Sequence, residues 1–130
     1  MTEPSVAIVI LNWNGKNFLE QYLPSVMASL YSNKKIIVAD NASTDDSISF
    51  LQNNYPQVQI IQNPANEGFA KGYNTALKQV RADYYVLLNS DVEVTPSPTV
   101  TVDGPDSACA EEPIQLFATG GTSYSWSTGD

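Results

Sequence analysis

Residues 6–11, VAIVIL, form an unbroken apolar run rich in β-branched side chains. A strand reads this way when both of its faces are covered. Three further short strands read at residues 36–39 (IIVA), 58–61 (VQII) and 84–88 (YYVLL). The stretches between them have a different period. Phe18, Tyr22, Leu23, Val26, Met27 and Leu30 recur at helical spacing, with Pro24 allowing a kink or a late start. Residues 45–53 read as a second helix, with Ser43 or Thr44 as N-cap and Asp45 and Asp46 complementing its dipole. Residues 69–80 read as a third, with Phe69, Tyr73, Ala76, Leu77 and Val80 on one face. Strands alternating with helices imply right-handed crossovers and a mainly parallel sheet flanked by helices, a Rossmann-like α/β fold.

In such sheets ligands bind beyond the C-terminal strand ends. The polar clusters lie there: residues 12–15 (NWNG), 40–45 (DNASTD), 63–68 (NPANEG) and 89–93 (NSDVE). Asp40 ends a strand at this edge, where a carboxylate can accept hydrogen bonds from a nucleobase N–H or ribose hydroxyls. Its plainer role is to cap the segment that follows. Asn12 and Asn14 read equally as turn formers and as pocket lining. Gly68 permits a positive φ or a close ligand approach.

Charge sets a boundary and removes several functions. The chain has 130 residues and a formal net charge of -8. All its basic residues lie before Ser97, and Pro96, Pro98 and Pro105 crowd the changeover. We therefore expect two regions, residues 1–96 and a β-rich tail at 97–130. The acidic balance argues against nucleic-acid backbone binding and against docking on anionic lipid. With no His and a single Cys109, a His-ligated metal, a His base, an internal disulfide and a CxxC zinc site are all excluded. No apolar run approaches the roughly 20 residues that span a bilayer, and no signal peptide is visible.

The series VAIVILNWNG, IIVADNASTDDS, NPANEGFAKGYN and YYVLLNSDVEV resembles family 2 glycosyltransferases of the GT-A fold, especially bacterial rhamnosyltransferase-like members that build surface polysaccharides. The match covers residues 5–96. It implies a hexosyltransferase-type inverting transfer from a nucleotide-diphosphate sugar to a hydroxyl of a carbohydrate or lipid-linked acceptor. It assigns Asn12, Asn14, Asp40, Asn41, Gly68, Lys71, Asn74 and Asn89 to the nucleotide sugar. Asn89-Ser90-Asp91 resembles the DxD-type motif with Asn in first position, which makes Asp91 the main ligand of Mg²⁺ or Mn²⁺, with Glu93 assisting through water. Without the resemblance, Lys71 is a solvated helical lysine, Asn74 a buried cap and residues 89–93 an acidic strand end. The resemblance further implies a cytoplasmic protein, peripheral at the inner membrane face.

The inverting reaction needs a general base, and the family pattern stops near Pro96 without supplying one. Donor binding is therefore better supported than turnover. The tail alternates apolar and polar residues (Val100, Val102; Ile114, Leu116; Tyr124, Trp126) between glycine-rich turns. It resembles the opening strands of an Ig-like or PKD-like surface module. Such strands could extend the parallel sheet, swap between two chains in a homodimer, or stay disordered. The competing function is a non-catalytic carbohydrate-binding or adhesion module, which would bind without metal or nucleotide.

Overall fold

The computed structural model describes residues 2–96 with their side chains, and the backbone of residues 101–103 and 117–119. The chain divides into two compact units, Met1–Val94 and Thr95–Asp130. In the first, the order is β1 (Val6–Asn12), α1 (Lys16–Met27), β2 (Lys34–Asp40), α2 (Ser47–Asn54), β3 (Gln59–Gln62), α3 (Phe69–Leu77) and β4 (Tyr84–Asn89). These four strands form one sheet in the order β3-β2-β1-β4. Every pairing in it is parallel. The expected α/β architecture is what the chain adopts. In the second unit β5 (Thr101–Asp103) pairs antiparallel with β6 (Phe117–Thr119). The expectations of an Ig-like or PKD-like fragment and of a swapped homodimer lie outside the described residues.

Strand alternation builds two cores. Ala7, Val9, Ile37, Ala39 and Ile61 pack with Tyr73, Ala76 and Val80 from the α3 segment. The alternate positions Ile10, Ile36 and Val38 pack with Leu19, Leu23 and Val26 of α1, Leu51 of α2 and Val58. The result is three layers, with α1 and α2 on one face of the sheet and α3 on the other. The continuous apolar run of β1 is explained, because both of its faces are covered and it is flanked by β2 and β4.

Several local expectations are corrected. α1 runs through Pro24, whose ring sits on an exposed side of the helix. Leu19, absent from the expected stripe, is buried, whereas Phe18 and Leu30 are exposed. α1 has ended at Met27, so Leu30 no longer follows the helical period. α2 starts at Ser47, not at Asp45, and neither Ser43 nor Thr44 caps it. Both are drawn instead into bonds with the β1 loop. α3 ends at Leu77, and Phe69 stands out into solvent, its ring edge-on to Tyr73 at 5.0 Å. β4 is the expected fourth strand, and its Tyr84, Tyr85, Val86 and Leu87 are all exposed. It is an edge strand of the described sheet, paired only with β1.

Candidate functional site

The parallel register brings the polar strand ends into one row. Asn12 lies opposite Asp40, Asp40 opposite Gln62, and Leu11 opposite Asn89. The chain runs outward from β1 to β2 and β3, then returns to the other side of β1 to form β4. The gap between β1 and β4 is thus a topological switch point, where crossovers diverge and leave a crevice. Asn12-Trp13-Asn14-Gly15 and Asn89-Ser90-Asp91 form its two rims.

Gly15 shows how closely the two rims approach. A Cβ added there would lie 2.5 Å from Asn12 Oδ1 and 3.5 Å from Ser90 Oγ. Asn12 is fully buried, and its Nδ2 donates to Asp40 Oδ1 at 3.0 Å and to Ser43 Oγ at 3.2 Å. Among the described residues its Oδ1 has no hydrogen-bond partner. Asp40 is also buried, and its Oδ2 accepts from the Ser43 amide at 2.9 Å. Asp40 therefore has both oxygens engaged, one across to β1 and one within its own loop. It caps no helix.

The β1 and β2 loops are stitched together by Asn14. Its Oδ1 accepts from the Thr44 amide at 2.7 Å, and its own amide donates to Ser43 Oγ at 2.9 Å. Asn14 adopts a left-handed φ of 48°, which asparagine tolerates better than most residues. Trp13 beside it is 57% exposed at the same edge. Asp45 accepts from the Lys16 and Ser47 amides at 3.0 Å each, anchoring the start of α1 to the same loop.

A second network holds the start of α3. Asn41 is buried, and its Nδ2 donates to Gly68 O at 3.1 Å and to Asn66 Oδ1 at 3.2 Å. Its Oδ1 accepts from Asn63 Nδ2 at 2.8 Å. Gly68 has φ 85° and ψ -174°, a region essentially reserved for glycine. Lys71 is exposed on α3 and pairs with exposed Glu67 one turn back. Asn74 is exposed within α3, so it is no buried cap.

Asn89 ends β4, Asp91 follows in an exposed turn, and Glu93 lies in the exposed irregular segment after it. Among the described residues no group of three or more His, Cys, Asp or Glu side chains gathers as a metal cage. The donors present are hard oxygens: one carboxylate on Asp91, one on Glu93 and the Asn89 amide. Such a set fits Mg²⁺ or Mn²⁺ held by one or two carboxylates together with substrate phosphates and water. Among the described residues no helix is long and apolar enough to cross a membrane.

The sequence places Asn12, Asn14, Asp40 and Asn41 at this edge, and puts Gly15, Ser43, Asn63 and Asn66 in the same polar clusters without showing that they hold the others; Gly72 it misses. The density of asparagine and glycine at strand ends is the signal that could have found them.

A family model described as "Glycosyl transferase family 2" matches residues 5–101. A Haemophilus influenzae protein named as an uncharacterized glycosyltransferase is 31% identical over 94 residues, 70% of this chain and 38% of that protein. An Escherichia coli UDP-Glc:α-D-GlcNAc-diphosphoundecaprenol β-1,3-glucosyltransferase is 31% identical over 87 residues, 66% of this chain and 35% of that protein. The chain thus spans between a third and two-fifths of the length of these relatives. In three dimensions it resembles a Pyrobaculum calidifontis mannosyltransferase solved with GDP-Man and Mn²⁺. The TM-score is 0.65 at 22% identity, covering 72% of this chain and 29% of that one.

Proposed function

Because the chain belongs to glycosyl transferase family 2, we propose that residues 5–96 form the nucleotide-sugar-binding half of a glycosyltransferase. The observation that carries this reading is the β1/β4 switch point, where Asn12 and Gly15 on one side meet the Asn89–Asp91 segment on the other. Asp40, buried one strand further along, supplies a carboxylate held rigid by Asn12 and Ser43. Such a group can accept from a nucleobase N–H without paying for its own ordering.

In this reading the nucleoside lies over Asn12, Asn14, Asp40 and Asn41, and the diphosphate runs toward Gly68 and Asn89. Lys71 and Asn74 face the sugar end from α3. A divalent metal held by Asp91, when bound, would neutralise charge on the departing diphosphate. The transfer itself is an inverting displacement. The acceptor oxygen attacks the anomeric carbon from the face opposite the diphosphate, and a base takes the hydroxyl proton. None of the residues placed around the crevice is assigned as that base. The acceptor is a carbohydrate or lipid-linked hydroxyl, in keeping with the diphosphoundecaprenol named for the E. coli relative. Surface polysaccharide synthesis at the cytoplasmic face of the membrane, with a rhamnosyltransferase-like donor preference, is the finer form of the proposal.

The test is a thermal melt with UDP, GDP or dTDP, each with and without Mn²⁺. At about a hundredfold over its dissociation constant a ligand adds roughly 2.7 kcal/mol of stability. The expected result is a midpoint raised by one nucleotide and raised further by metal, with the metal effect lost in Asp91→Ala. A cooperative melt indifferent to every nucleotide would sink the reading and favour a carbohydrate-binding module.

A further inference from the structure

The strongest unassigned feature is the buried amide of Asn63, just beyond the end of β3. Asn63 is 5% exposed. Its Nδ2 donates to Asn41 Oδ1 at 2.8 Å and to Gly72 O at 3.0 Å. Its backbone amide donates to Asp40 O at 2.8 Å. One residue therefore grips the strand end that carries Asp40, the side chain of Asn41 and the first turns of α3. Asn41 in turn donates to Gly68 O and Asn66 Oδ1, so both protons of each amide are used.

Two observations separate this clamp from ordinary core packing. Among the described residues Asn63 Oδ1 is buried with no partner. An amide left half-satisfied costs stability relative to an apolar side chain of the same shape, so its service is geometric. The clamp is also fitted to a missing side chain: a Cβ on Gly72 would lie 2.7 Å from Asn41 Nδ2 and 2.8 Å from its Oδ1. Only glycine there lets α3 approach closely enough for Asn63 to bridge both.

We propose that Asn63 is a positioning residue for nucleotide-sugar binding, setting the Asn41 amide and the Gly68 end of α3 at the spacing the ligand requires. It touches no ligand itself. The inference rests on the nucleotide-site reading above.

The experiment uses the full chain with Asn63→Ala, and with Val58→Ala as a control. Val58 is buried in the other core, so it costs stability without touching the clamp. Two quantities are read: the dissociation constant for whichever of UDP, GDP or dTDP the parent protein binds with Mn²⁺, and the amide hydrogen exchange of residues 68–72. The expected result is a loss of affinity of about tenfold or more for Asn63→Ala, beyond that of Val58→Ala at a matched melting temperature. Faster exchange confined to residues 68–72 should accompany it. Asn63→Ser, which keeps one donor, should recover part of both and serves if the alanine variant does not fold.

Equal affinities in the two variants would overturn the proposal. If the parent protein binds no nucleotide, the donor-site reading fails on its own. Exchange then decides the clamp, and unchanged exchange at residues 68–72 would reject it.

Discussion

At the scale of single residues, the two glycines of the site rim do different jobs, and substitution should separate them. At Gly15 the obstacle is space. A methyl group there must displace Asn12 Oδ1, 2.5 Å away, and with it the bond from Asn12 Nδ2 to Asp40. Gly15→Ala should cost about 1–3 kcal/mol in a denaturant melt and weaken nucleotide binding as well. At Gly68 space is open and only the backbone resists, with φ 85°. Gly68→Ala should cost a similar 1–3 kcal/mol through strain alone. If Gly15→Ala binds nucleotide as the parent does, the crevice between Asn12 and Ser90 is not the site. The positive φ of 59° at Ala42 marks the β2 loop as strained too. Strain of that kind persists where surrounding bonds over-determine a loop, and Asp40, Asn41 and Ser43 supply them here.

At the scale of elements, the N-terminal entry to β1 is latched to the entry of β4. Ser5 donates to Asp83 Oδ2 from its amide at 2.7 Å and from its hydroxyl at 2.8 Å. The Ser5 amide, and then its hydroxyl, hold the Asp83 carboxyl below the ordinary carboxylate range, against a smaller opposing push from desolvation. A carboxyl depressed in the folded state contributes stability that is present above its unfolded pKa and lost as the pH falls through the folded value. Asp83→Asn should therefore flatten the decline of melting temperature below about pH 4 while leaving the neutral-pH slope unchanged. A decline as steep as that of the parent would show that the latch is not coupled to folding. Elements are also where the sequence was most legible. The four strands follow from runs such as VAIVIL and IIV, and their parallel order from the helices between them. The start of α2 was not legible. Ser43 and Thr44 have N-cap chemistry, and nothing local reveals that Asn14, some thirty residues earlier, claims them. The exposure of β4 was equally hidden, since an apolar run reports what a strand can bury and not what lies beside it. For the site, strand-end carboxylates and asparagines could be read directly. Their supports could not, because Asn63 and Gly72 act through contacts made only when three loops meet.

At the scale of the whole molecule, the described sheet has a covered centre and an open flank. β1 and β2 are buried between helices, whereas β4 turns Tyr84 to Leu87 outward. The chain spans well under half the length of its relatives, and the family match ends at residue 101, soon after β4. The proposed donor site draws only on elements within residues 5–96, because the β1/β4 switch point and both asparagine networks are assembled there. That self-sufficiency is the central claim, and nuclear magnetic resonance of the full chain tests it most directly. A nitrogen-15 amide spectrum would be followed during titration with UDP, GDP or dTDP, then with Mn²⁺. The prediction is that shifts concentrate at residues 12–15, 40–45, 66–72 and 89–91, and that paramagnetic broadening centres on Asp91. Absence of shifts with every nucleotide, or shifts gathered at the opposite sheet end around Lys34, Gln57 and Val58, would contradict it.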